Sequence, residues 1–408
     1  MKRFLLPILV LATSLVARAS DWPQFLGPDR NGTYAGNDLA SSFPAGGPKV
    51  VWKRDVGQGF AGPVVSAGKL ILFHRVEDKE TVECLDAKTG AKIWLSDYPT
   101  HYQDDFGFDE GPRATPSIAD GKVYTFGAEG MLSCWDLGSG TKVWQADTKE
   151  QFTAPKGFFG MVCSPLVEGD RVIVNVGGGQ GAGIVAFDRK TGAVLWKATD
   201  DEAGYSSPIA ATFGGKRYIL DLNREGLVAL DPGTGKVFFN FHWRSRNNAS
   251  VNAATPLVIG DDIFISASYG TGAALLRFKE TGPEKIWSGD NVLSNHYATS
   301  MYHNGFLFGY DGRQENGPNL RCVEAQTGKV LWSEDHFGAG TLMGAGDKLL
   351  ILTEKGELIL APANADSFKP ISRAQILPFD SRAYPALADG LYYARSKEKL
   401  VCVDLRSK

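Results

Sequence analysis

Short apolar runs of four to six residues, broken by Gly, Asp or Asn, set the pattern along this chain. In one stretch Thr115–Ile118 and Lys122–Phe126 flank Asp120-Gly121, Met131–Trp135 follows Glu129-Gly130, and Thr141–Trp144 follows Gly138-Ser139-Gly140. Segments this short, rich in β-branched and aromatic residues and punctuated by turn formers, predict strands joined by tight turns.

The stretch recurs. Apolar-Asp-x-x-Thr-Gly followed by Trp reads Leu85-Asp86 through Thr89-Gly90 to Trp94, and Trp135-Asp136 through Gly140 to Trp144. It returns at Phe187-Asp188 with Trp196, and at Leu230-Asp231 with Phe239 in the Trp place; looser copies end at Trp287 and Trp332. A second phrase precedes each copy: Gly62-Pro63, Thr115-Pro116, Ser164-Pro165, Ser207-Pro208, Thr255-Pro256, Thr299-Ser300, Gly340-Thr341 and Tyr384-Pro385. Eight copies at a mean spacing of 46 residues, each with four short strands, match the arithmetic of an eight-bladed β-propeller. The last copy stops at Asp404 without its Trp strand, while an orphan strand, Lys49-Val50-Val51-Trp52, precedes the first. The expected fold is therefore all-β: four-stranded antiparallel blades, the last closed by the N-terminal strand so that no edge stays open.

Within each copy the Asp suits a turn cap, Gly a positive φ and Trp the seam between blades. Cys84, Cys134, Cys322 and Cys402 stand two residues before the Asp, Glu or Asp of their copies, where Ala186 and Ala229 stand in two others. That is a small buried slot, repeated in separate blades, and Cys163, before Ser164-Pro165, has no obvious mate, so all five cysteines are expected to be free thiols. Gly177 to Gly183 reads as a hairpin connection, since no helix follows it.

Composition narrows the function. Lys+Arg number 43 against 46 Asp+Glu, which excludes a nucleic-acid binder that tracks phosphates by excess charge. Lys2 and Arg3, the apolar run Phe4–Val16 and Ala17-Arg18-Ala19 form a secretory signal pattern over 1–19. The expectation is a periplasmic or secreted monomer without a transmembrane segment: an N-terminal extension over 20–48, then the propeller over 49–408.

The Asp-x-x-Thr-Gly-x-x-x-Trp copies resemble those of the pyrroloquinoline-quinone (PQQ) repeat superfamily, which includes quinoprotein alcohol dehydrogenases and BamB-like propellers. Asp21-Trp22-Pro23-Gln24-Phe25-Leu26-Gly27-Pro28-Asp29-Arg30-Asn31-Gly32 is similar to the opening of exported PQQ-like repeat proteins. The resemblance covers about Asp21 to Asp404 and implies the fold; its members include both enzymes and non-enzymes. Two features depart from it. No two cysteines are adjacent, as in the vicinal disulfide of many quinoprotein dehydrogenases, and no cysteine follows the signal, as in the BamB lipoprotein.

Local chemistry should lie in the loops that join one blade to the next. The loop expected over 96–114 carries Asp105 and Asp109, either calcium ligands or members of a solvated acidic loop. Arg113, Arg244, Arg246 and Arg382 precede inner strands, where they either line a mouth for an anionic ligand or pair with neighbouring loops. Trp243, Asn248, Asn252 and His296 complete the candidate ligand set. The leading reading is a non-catalytic propeller, with no cofactor, that binds a protein or small ligand at its mouth. The alternative is a dehydrogenase using PQQ and calcium to oxidise alcohols or aldose sugars.

Overall fold

The computed structural model describes residues 21–248 and 252–407. The signal sequence expected over 1–19 lies outside the described residues. Eight sheets follow one another round a ring, each running antiparallel from an inner to an outer strand. Blade 1 comprises Val64–Ser66, Lys69–Val76, Lys79–Asp86 and Lys92–Pro99, and the blades that follow repeat that order. Inner strands of neighbouring blades touch and line a central channel. Alternation of strand direction puts the blade-to-blade loops on one face, called here the loop face, and the Asp-x-x-Thr-Gly turns on the other, the turn face.

The ring closes as its sequence requires. Lys49–Asp55 pairs antiparallel with Lys399–Asp404 as the outer strand of blade 8. The expected turn chemistry is present too: Oδ1 of Asp86, Asp136, Asp188 and Asp231 each accepts two turn amides and a hydroxyl at 2.8–3.1 Å. All five cysteines are buried and unpaired. The slot that Cys84, Cys134, Cys322 and Cys402 occupy is not always small, however, because Leu275 fills it in blade 5.

Two relays run round the ring. Nε1 of Trp52, Trp94, Trp144, Trp196, Trp287 and Trp332 donates to a turn carbonyl of the next blade at 2.8–3.1 Å. Each indole also lies flat on a turn glycine of that blade where one is present. A Cβ at Gly140 would sit 2.5 Å from Trp94, although its φ of +73° would alone favour glycine. Gly121 has the same φ of +73° and open space around it. Gly140→Ala should therefore cost at least about 1 kcal/mol more than Gly121→Ala in urea unfolding. Equal losses would mean that the indole does not press on the turn.

The inner relay explains the Pro-containing phrase. The hydroxyl of the residue before the proline accepts the corresponding amide of the preceding blade: Gly62 N to Thr115 at 3.0 Å, Thr115 N to Ser164 at 2.9 Å, and Ser164 N to Ser207 at 2.9 Å. Ser207 N to Thr255 and Thr255 N to Thr299 continue it, and Thr299 N reaches Tyr384 Oη. At Gly62 any Cβ would meet the Tyr384 carbonyl at 2.3 Å, so the ring closes on a glycine.

Blade 5 departs from the pattern for a readable reason. Arg277 stands where the turn Asp is expected and pairs with Asp262, a reversal of the Lys122–Asp136 pair in blade 2. Phe278 then stacks on Phe213 at 4.0 Å, filling the seam where Phe239 replaces Trp. Blade 7 has no Trp on its outer strand, and there Ser372 Oγ accepts the amide of Phe43 at 2.9 Å. The half-buried Phe43 ring packs on the core shared by blades 7 and 8.

Residues 21–40 thread the channel from the turn face. Asp21 caps the Ser66–Ala67 turn, Trp22 bridges Val65, and Pro23 O accepts Ile118 N at 2.7 Å. The chain turns at Leu26 and Arg30, both at positive φ, and returns as Thr33–Tyr34 in parallel pairing with the inner strand of blade 7. Arg30, almost fully buried, spans to blades 2, 3 and 4. Burial pulls its pKa down to about 9, which leaves it charged at neutral pH. The segment closes the turn-face end, so the loop face is the open mouth.

Candidate functional site

The first blade-to-blade loop dominates the mouth. The strand before it runs to Pro99, past the expected boundary at Ser96, because Trp94 and Tyr98 both bury against blade 2. The loop then crosses towards blade 8. Asp104 Oδ2 accepts the amides of Phe108 and Asp109, Gln58 Oε1 accepts Glu110 N, and Lys397 Nζ holds Phe108 O at 2.9 Å. Arg75 grips the loop from blade 1 through the carbonyls of Tyr102 and Glu110. Pinned at its base, the loop presents Phe106 at 55% and Phe108 at 47% exposure. Phe379, on the loop before blade 8, is 65% exposed.

Beneath these rings two arginines meet over one phenyl group. Arg113 lies 5.7 Å and Arg382 5.6 Å from the Phe60 ring centre. Arg113 also donates to the Phe159 and Asp109 carbonyls, and Arg382 pairs with Glu354 at 3.1 Å and Asp380 at 2.8 Å. Phe106, Phe108, Phe158, Phe159 and Tyr205 form one chain of ring contacts beside them. The face is thus an aromatic patch set among arginines, the composition of binding hot spots. A cleft of about 200 Å³ adjoins it, lined by His101, Tyr102, Glu129, Lys149 and Lys156.

Of the residues expected at the site, Arg113, Arg382, Asp105 and Asp109 gather on this side of the mouth. Asp105 pairs with Lys156 at the surface, at 2.7 Å. Asp109 is buried, with Oδ1 accepting Gly111 N at 2.7 Å, and its charge supports the buried Arg395. His296 is held by Gln314 N on Nδ1 and by Tyr269 Oη on Nε2, and burial lowers its pKa, so it is neutral at pH 7. Its neighbour Tyr297 donates to Glu354, the partner of Arg382.

The loop between blades 4 and 5 meets the far end of this chain of rings, where Asn252 O accepts Tyr205 N at 2.8 Å. Trp243 stacks on Phe241, and Arg244 pairs with Glu225. Asn252 Nδ2 is spent on the carbonyls of Asn223 and Trp243, at 2.7 and 2.9 Å. Arg246 and Asn248 are exposed, and Asn248 O accepts from Arg224.

These placements do not fit a PQQ–calcium centre. Asp105 is spent on Lys156 and Asp109 Oδ1 on Gly111 N, with the buried Asp109 Oδ2 left without a hydrogen bond among the described residues, while Trp243 and Asn252, on another loop, are engaged with Phe241 and with backbone carbonyls. Among the described residues no group of three or more His, Cys, Asp or Glu is placed to hold a metal ion. Phe60, Phe106, Phe108, Phe159 and Phe379 carry no polar chemistry and repeat in no blade, so neither motif nor period marks them in the sequence. Two phenylalanines in a Gly- and Asp-rich loop, with no strand alternation to bury them, were the available signal.

A family model described as outer membrane protein assembly factor BamB matches residues 78–316. The BamB of Burkholderia pseudomallei is 25% identical over 59% of this chain and 56% of its own length, so the chain spans about half of that relative. The crystal structure of BamB from Moraxella catarrhalis superposes with a TM-score of 0.63 at 17% identity, covering 87% of this chain and 96% of that one. Quinohemoprotein alcohol dehydrogenase from Comamonas testosteroni gives 0.70 at 15% identity, over 95% and 81%. At these identities the two structures show a shared fold and no more.

Proposed function

The chain belongs to the family whose model is described as outer membrane protein assembly factor BamB, and from that membership we propose that it is an exported, non-catalytic propeller holding a protein partner at its mouth. The observation that carries this reading is the exposed pair Phe106 and Phe108 beside the arginines that flank Phe60, with Phe379 exposed on the loop before blade 8. Aromatic rings left in water beside arginines are typical of partner-binding surfaces, and they supply no acid, base or nucleophile for catalysis. The closed turn-face end supports access from this face alone.

A photocrosslinking residue placed at position 106, 108 or 379 in the producing cell should capture one discrete protein, and the same residue at Val143 on the rim should not. Phe106→Ser with Phe108→Ser should weaken that partner's binding by at least about tenfold. Capture equal to that at the rim would sink the reading. Stoichiometric PQQ uptake with calcium, followed by dye-linked oxidation of an alcohol or sugar, would replace it with the dehydrogenase.

A further inference from the structure

The deepest contact of the N-terminal segment is a recognition event in its own right. Thr33–Tyr34 joins the inner strand of blade 7 and Trp22 bridges that of blade 1, but the inner strands of blades 2, 3 and 4 have no strand on their channel side, so carbonyls at their starts face the channel without ladder partners. The proline phrases sit at that level. In blades 2, 3 and 4 the exposed acceptors converge on one point, and the Arg30 guanidinium occupies it. Its Nη1 donates to Ser164 O at 3.3 Å and Pro208 O at 2.8 Å. Its Nη2 donates to Ser117 Oγ at 3.2 Å and to Pro165 O. Nε donates to Gln24 Oε1 at 2.9 Å, from within the segment itself. Five N–H donors thus meet five neutral acceptors, and none of the partners is a carboxylate.

We propose that the channel floor is a guanidinium-recognition site, built from the Ser164, Pro165 and Pro208 carbonyls and the Ser117 hydroxyl, whose resident ligand is the chain's own Arg30. A planar fork of fixed donors matches this set of acceptors. Pro165 O also accepts the Ser117 hydroxyl at 2.5 Å. An ammonium group carries the same charge but only three donors at one point, too few for five acceptors spread around a planar fork. The site fastens the threaded segment and ties together blades on the side of the ring opposite the closing strand. It does not depend on what binds at the mouth.

Chemical rescue in the full-length chain tests it. Arg30→Gly removes the ligand and eases a backbone at φ +51°, so a loss of stability belongs to the side chain. The variant should melt several degrees below the parent. Guanidinium chloride at millimolar concentration should then raise its melting temperature saturably, by roughly 3 °C or more, while leaving the parent unchanged. Ammonium chloride at equal ionic strength and urea at equal concentration should not. Arg30→Lys should remain destabilised and respond only weakly, because its stem still fills the site; it also provides the comparison if Arg30→Gly does not fold. Equal responses to guanidinium in variant and parent, equal rescue by ammonium or urea, or full stability in Arg30→Lys would overturn the proposal.

Discussion

Asp221→Asn is expected to make the propeller more stable at alkaline pH and to remove much of its loss of stability between pH 5 and 9. Asp221 is fully buried on the second strand of blade 4, facing blade 3. The same place in blades 1, 3 and 5 holds Leu72, Val174 and Ile265. Its Oδ2 accepts Asn175 Nδ2 at 2.9 Å, and its Oδ1 has no protein partner. Burial, reinforced by the charge of Asp201, pushes its pKa up to about 8 from 3.8.

The folded chain thus holds a proton that the unfolded chain releases near pH 4. The stability this contributes is complete below the unfolded value and is lost as pH rises towards 8. A displacement of this size is on the order of 5 kcal/mol across that window. Glu80, pushed up to about 7 by burial, adds a slope of the same sign to parent and variant alike. His74, held down to about 3 by burial, acts the other way, its contribution being lost as pH falls below about 6.5. Urea unfolding of parent and variant at pH 5, 7 and 9 should show curves that diverge with pH, by about 3 kcal/mol or more at pH 9. Parallel curves would mean that Asp221 finds a partner in solution, such as a buried water or cation.

What was legible follows from where each residue's partner lies. The Asp of each turn bonds amides within three residues, so Asp86 or Asp188 announces its role locally. Trp94 and its counterparts show the seam through repetition, although the carbonyl each one binds belongs to the next blade. The Ser or Thr before proline was visible as a phrase and silent as a mechanism, because its acceptor role exists only between blades. Arg30 had no counterpart in any copy, so periodicity said nothing of it. At the mouth, the arginine positions were found from their place before inner strands. Their meeting on Phe60 required Arg382, from the loop before blade 8, to come beside Arg113, from the loop before blade 2. Only closure of the ring makes these two loops neighbours.

Closure is itself the second large expectation. Deleting residues 21–56 should turn a monomer into an aggregating species that melts at least about 10 °C lower. Three supports go at once. The strand Lys49–Asp55 leaves Lys399–Asp404 as an open edge with Val401, Cys402 and Val403 stripped of cover. Trp52 Nε1 no longer ties blade 8 to Ala87 O at 3.0 Å, and the buried Glu83 loses Arg54 at 2.7 Å. Phe43 leaves the blade 7–8 seam, and the channel loses its filling. Trp52→Ala in the full chain separates the terms, since it keeps the strand and removes only the indole. It should cost about 2–3 kcal/mol, less than a fully buried Trp because Trp52 is only partly buried, and the protein should stay monomeric. Light scattering with size exclusion and calorimetry would read both variants. A monomeric deletion variant with the parent's melting temperature would show that blade 8 holds with three strands, and that the N-terminal strand covers an edge the ring does not need covered.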